Sequence, residues 1–141
     1  MLKFYHYSAF FLSAIMTGSA LADCSTPTYN RLIDLKRALR GNKLCYPNHQ
    51  EEHLGNGTLR DTKTGDLNDP VDPRIAVGTW AIINGTGGTF NVEYNYSKGG
   101  DSAGPFIFTP HNNGDGTISF CNGNSLSVTA TVVDRYLDPC P

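Results

Sequence analysis

Several things are scarce or missing in this sequence, and each absence excludes something. The chain has no C-x-x-C pair among its four cysteines, so it offers no zinc-ribbon or thioredoxin-like spacing. It has no repeat of regular period, which argues against solenoids and propellers. Beyond residue 22 it has no long apolar run, and the earlier one, Ala9 to Met16, is well short of the roughly 20 residues that a membrane-spanning helix needs. Basic residues are outnumbered, 11 Lys and Arg against 13 Asp and Glu, so nothing in the charge balance points to nucleic acid. No organised set of acid, base and nucleophile stands out, and no cofactor motif is present.

What is there begins with "MLKFYHYSAFFLSAIMTGSALA". Lys3, the short apolar stretch and the closing Ala20-Leu21-Ala22 have the form of a secretory signal peptide with an A-x-A cleavage site. Residues 1–22 are therefore expected to be removed, leaving 23–141 as one small domain that is secreted or periplasmic, with no membrane span in the mature chain. Asp23 stands where lipoprotein processing wants a small neutral residue, so cleavage before Asp23 leaves Cys24 free to pair. Cys24, Cys45, Cys121 and Cys140 then form two disulfides in an oxidising compartment. Three pairings are open; the preferred one is Cys45–Cys121 with Cys24–Cys140, which ties the chain ends together.

Helical spacing appears once in 23–141. Leu32, Leu35 and Leu39 recur after Thr26-Pro27, and Gly41 stops the pattern, predicting a helix over about 27–40. Its outer face carries Arg31, Lys36, Arg37 and Arg40. After Lys43 the pattern becomes period two, punctuated by Asn56-Gly57, Asn84-Gly85, Asn113-Gly114 and Asn122-Gly123. Phe90, Val92, Tyr94 and Tyr96 alternate with polar residues, as do Ile118 and Phe120, and then Leu126, Val128, Ala130 and Val132. Strands are expected near 43–47, 49–54, 58–63, 76–83, 89–97, 105–111, 117–121 and 126–133. The proline-containing "TKTGDLNDPVDPR" reads as a long loop. The fold class is thus mainly β, a β-rich α+β domain: one N-terminal helix on a bent antiparallel meander sheet or small β-barrel, stabilised by disulfides.

Three short motifs bear on chemistry. His49-Gln50-Glu51-Glu52-His53 matches the H-x-x-E-H of zinc peptidases, but Pro47 and Gly55 leave no room for the helix turn that motif needs. As a strand, the segment would set its two histidines about 13 Å apart, so no metal site is expected and the strand is expected to be polar and mostly exposed. Gly100-Asp101-Ser102-Ala103-Gly104-Pro105 resembles the nucleophile motif of chymotrypsin-like serine proteases, with His53 and Asp72 in the order that family uses; it departs at Ala103 and the chain is about half the necessary length. Asp66, Asn68, Asp69 and Asp72 lack the register of a calcium loop.

Gly78-Thr79-Trp80 resembles the G-x-W that opens the first strand of lipocalins. The resemblance implies a small barrel whose interior, lined by Trp80, Phe90, Tyr94, Phe106 and Phe108, holds an apolar ligand. Three functions follow in order of preference: a non-catalytic, monomeric exported domain that binds a protein or envelope partner; a lipocalin-like carrier of an apolar ligand; and a small zinc hydrolase using the HQEEH segment.

Overall fold

A computed structural model of the chain describes residues 24–47, 49–63, 75–97, 103–136 and 140. Residues 1–22, expected to be a signal peptide, the expected loop's Asp66, Asn68, Asp69 and Asp72, and Ser102 lie outside them.

The eight expected strands are all present, as β1 (Asn42–Cys45), β2 (His49–His53), β3 (Thr58–Lys63), β4 (Ile75–Asn84), β5 (Phe90–Tyr96), β6 (Ala103–Asn112), β7 (Thr117–Asn122) and β8 (Ser125–Asp134). Each pairs antiparallel with the next, and β1 pairs with β8, so the sheet closes into a barrel. Closure leaves no free sheet edge. It also gives the alternation its meaning, because one face of every strand must look inward. Val92 and Tyr94 on β5, Ile118 and Phe120 on β7, Ala130 on β8 and Leu44 on β1 are buried on that inner face.

The Asn-Gly pairs turn the chain by a different device from the one their composition predicts. No residue other than glycine has a positive φ among the described residues, so the asparagines do not occupy left-handed turn positions. Side chains brace the turns instead. Asn56 Oδ1 accepts the Thr58 N–H at 3.0 Å, and Asn112 Oδ1 accepts the Gly114 N–H at 3.0 Å. At Asn84-Gly85 the expected turn moves downstream, to a short 3-10 segment over Thr86–Gly88 in which Gly87 and Gly88 take φ of 65° and 79°.

The helix α1 spans Leu32–Arg40 and begins later than expected. Residues 26–28 are drawn onto β6 instead. Thr28 bridges His111, the Asn112 N–H donates to Pro27 O at 2.9 Å, and the Thr26 hydroxyl donates to Asn113 Oδ1 at 3.0 Å rather than capping the helix. At the other end Gly41 stays right-handed, and Asn42 Nδ2 caps the helix by donating to Ala38 O at 2.9 Å. Leu35 and Leu39 are completely buried, whereas Ile33 is half exposed. The two leucines join one core with the inward-facing Leu59, Trp80 and Ile118. α1 thus lies across the barrel end where β1 begins, and plugs it.

The disulfides are Cys24–Cys121 and Cys45–Cys140, with Cα separations of 5.9 and 5.5 Å. This corrects the expected pairing, and the strand register gives the reason. β8 lies between β1 and β7, with Cys45 opposite Thr131 and Cys121 opposite Leu126. Two strand spacings and five residues of stagger put Cys45 and Cys121 about 10 Å apart across the sheet and about 16 Å along it. A disulfide spans a Cα separation of only about 4.4–6.8 Å. Each bridge instead fixes one terminal segment to the outer wall, the N-terminal one to β7 and the C-terminal one to β1.

Candidate functional site: the open mouth of the barrel

The helix fills one end of the barrel. The other end, where β1, β5 and β7 finish and β6 and β8 start, holds a cavity of about 350 Å³. It is lined by Tyr46, His49, Glu51, Tyr94, Tyr96, Phe106, Phe108, Phe120 and Val128. That volume is at the small end of the roughly 300–1,000 Å³ found for small-molecule sites.

The walls follow from period-two geometry. Tyr94 and Tyr96 stand on the inner face of β5, and Phe106 and Phe108 on that of β6, with Tyr94 opposite Phe106 and Val92 opposite Phe108. The Tyr96 and Phe106 rings lie 6.1 Å apart, as do those of Tyr94 and Phe108. Phe106 reaches the rim and is 42% exposed.

The polar part of the site comes from β2. Leu44 on β1 faces inward and pairs with Glu51, and that pairing turns His49, Glu51 and His53 inward together. The expected exposed strand is therefore a buried one: Glu51 and His53 are each more than nine-tenths buried inside the barrel, and Glu52 is equally buried on the outer face. Glu51 meets the cavity. Its Oε2 accepts the Tyr46 hydroxyl and its Oε1 the Tyr96 hydroxyl, both at 3.2 Å. Burial, reinforced by the negative field of Asp61 opposite it on β3, raises the Glu51 pKa to about 7 despite both tyrosine hydrogen bonds. Burial also raises the pKa of Tyr46 and Tyr96, so both keep their protons and act as donors. His49 stacks on Tyr46 at 4.4 Å, with its Nε2 3.8 Å from Glu51 Oε1. Burial lowers the His49 pKa more than Asp61 raises it, so the imidazole is neutral at pH 7.

His53 belongs to the plugged end. It is buried and forms a hydrogen bond between its Nε2 and the Tyr94 hydroxyl at 2.9 Å, while its Nδ1 has no partner among the described residues. Desolvation lowers its pKa to about 3. His49 and His53 sit at opposite ends of β2, too far apart for one ion. Among the described residues no three His, Cys, Asp or Glu side chains are placed to hold a metal. His111 also lies elsewhere, with its Nδ1 2.6 Å from Thr26 O.

Of the five aromatic residues singled out from sequence, Tyr94, Phe106 and Phe108 line the cavity. Trp80 and Phe90 pack in the barrel away from it. Trp80 lies on β4, not on a first strand; its indole N–H donates to Leu54 O at 3.0 Å and its ring sits under Arg40, 5.7 Å away. Gly78, two residues earlier, allows a close backbone approach: a Cβ there would stand 2.1 Å from Asn95 O. Sequence reading missed Tyr46, Tyr96, Phe120 and Val128, and it weighed His49 and Glu51 only as part of the HQEEH zinc motif. The alternation Phe90-Val92-Tyr94-Tyr96 already placed Tyr96 beside Tyr94, so that one was within reach.

No family model matches the chain, and no curated protein or solved structure is similar to it.

Proposed function

We propose that this protein is an exported, non-enzymatic carrier that holds one small, largely apolar molecule in the mouth of its barrel. The observation that supports this most is the asymmetry of the interior. One end is filled by Leu35 and Leu39 of α1, whereas the other keeps about 350 Å³ open between aromatic walls. A closed barrel with one end plugged and one end hollow is suited to holding a ligand. Two disulfides agree with life in an oxidising compartment, and no helix among the described residues is long and apolar enough to cross a membrane.

The test is titration of the disulfide-intact protein with N-phenyl-1-naphthylamine, a neutral apolar dye. Saturable one-to-one binding is expected, weakened at least tenfold in Val128→Trp, where the larger side chain occupies the cavity. Absence of saturable binding contradicts the carrier reading. A second reading, docking of a protein or envelope component, draws on Phe106, Ile107 and Leu126, which leave apolar surface exposed at the same end of the barrel. It predicts that Ile107→Asp abolishes capture of the partner and leaves dye binding unchanged.

A further inference from the structure

Within the carrier reading, and resting on it, the geometry points to an organic cation, a protonated amine or quaternary ammonium, whose charge sits against the Glu51 carboxylate and whose body is covered by Tyr96, Phe106 and Phe108. Three features of the mouth lead there.

The first is the setting of the carboxylate. Glu51 is buried at an aromatic cavity with two hydroxyl donors among the described residues, each at 3.2 Å. Hydroxyl hydrogen bonds to an ionised carboxylate are ordinarily about 2.5–2.7 Å, so the carboxylate is loosely satisfied when the cavity is empty. The second is the charge around it. Among the described residues, the groups that face Glu51 are Asp61 from β3, His49 from β2 itself, Tyr46 after β1, and Tyr94 and Tyr96 from β5. None of these is a cation: Asp61 adds negative charge, burial keeps His49 neutral, and the tyrosines keep their protons. No Lys or Arg is among the described residues that line the cavity, and the side chain of Lys63, opposite His49 in the β2–β3 register, lies outside them. The third is the wall. Aromatic rings present negative faces that attract a cation, and they do so most strongly when water is excluded. A neutral apolar ligand would use the rings but would leave the carboxylate uncompensated, and an anion would meet two carboxylates.

A cation that favours the ionised form of Glu51 must also displace its proton. With its pKa raised to about 7, Glu51 holds part of a proton at pH 7, so binding of a permanently charged ligand releases protons.

The experiment is calorimetric titration of the disulfide-intact protein at pH 7 with four probes on one frame: benzyltrimethylammonium, benzylammonium, benzyl alcohol and benzoate. Both ammonium probes are expected to bind at least tenfold tighter than benzyl alcohol, with benzoate weakest. Benzyltrimethylammonium should release protons on binding, read as a dependence of the binding heat on the ionisation enthalpy of the buffer. Glu51→Gln should erase the ammonium preference and the proton release; the wild-type ratio carries the inference alone if that variant does not fold. Equal affinity for alcohol and ammonium overturns the cation inference and leaves the carrier reading standing. So does naphthylamine binding with no ammonium binding. Failure of every probe, the neutral dye included, overturns both.

Discussion

His53 and Glu51 stand two residues apart on one strand, both inward-facing and both buried, yet they belong to opposite ends of the molecule. Around His53 the protein packs closely, with the Tyr94 hydroxyl at 2.9 Å, the Trp80 ring edge-on at 4.9 Å and the leucines of α1 beyond, and only Nδ1 lacks a partner among the described residues. Around Glu51 it stops short, leaving aromatic walls, two long hydrogen bonds and open volume. Burial alone does not mark a site. A buried polar group inside a filled core contributes to packing, whereas one at the wall of an open cavity has free volume beside it.

The largest expected effect tests the filling. Leu39→Ala removes a completely buried side chain from the plug and should cost about 2–5 kcal/mol in unfolding free energy. Phe106→Ala removes a larger but 42% exposed side chain from the mouth and should cost much less, under about 2 kcal/mol. Urea unfolding of the two variants reads the contrast, and equal losses would erase it.

The two titratable groups sharpen it next. Between their unfolded and folded pKa values each shifts stability by roughly 1.4 kcal/mol per pH unit, with opposite signs. His53 falls from 6.5 to about 3 on folding, so below pH 6.5 the unfolded chain binds the extra proton and stability drops as pH falls towards 3. Glu51 rises from 4.5 to about 7, so between those values the folded chain holds the extra proton and stability drops as pH rises. The two slopes offset each other between about pH 4.5 and 6.5, where the wild type should be nearly flat. Glu51→Gln removes one slope. Its stability relative to wild type should then climb by about 3 kcal/mol from pH 4.5 to 7. Parallel pH profiles for the two proteins would show that Glu51 is not held as the cavity geometry implies.

The smallest effect concerns the lid of the plug. Arg40 lies 5.7 Å over the Trp80 ring at an exposed position, and Arg40→Ala should cost about 0.5–1 kcal/mol without altering ligand binding at the mouth. Thermal unfolding alongside dye titration measures both.

Nearly all of the fold was legible, because alternation survives as long as one face of each strand is buried, and here every strand has such a face. The site was only partly legible, for one reason of symmetry. Alternation shows that His49, Glu51 and His53 share a face opposite Gln50 and Glu52, but not which face looks inward. Leu44, paired with Glu51, decides it, and that pairing exists only once β1 and β2 are in register. The charged composition of HQEEH argued for solvent and was outweighed by closure of the barrel. The disulfides failed for a related reason: Cys45 and Cys121 sit on suitable strands, but β8 and its stagger lie between them. The helix start moved because Pro27 and Thr28 have β6 to bind, a partner invisible in local sequence.

On the proposed carrier function, one end of the barrel is finished by the chain itself and the other is filled by a ligand. Methyl-resolved NMR during titration with benzyltrimethylammonium tests it most directly, since Val128 lines the mouth and Leu35 and Leu39 form the plug. The account predicts saturable shifts at the Val128 methyls, with the Leu35 and Leu39 methyls unmoved. Shifts centred on the two leucines, or no saturable shift at Val128, would contradict it.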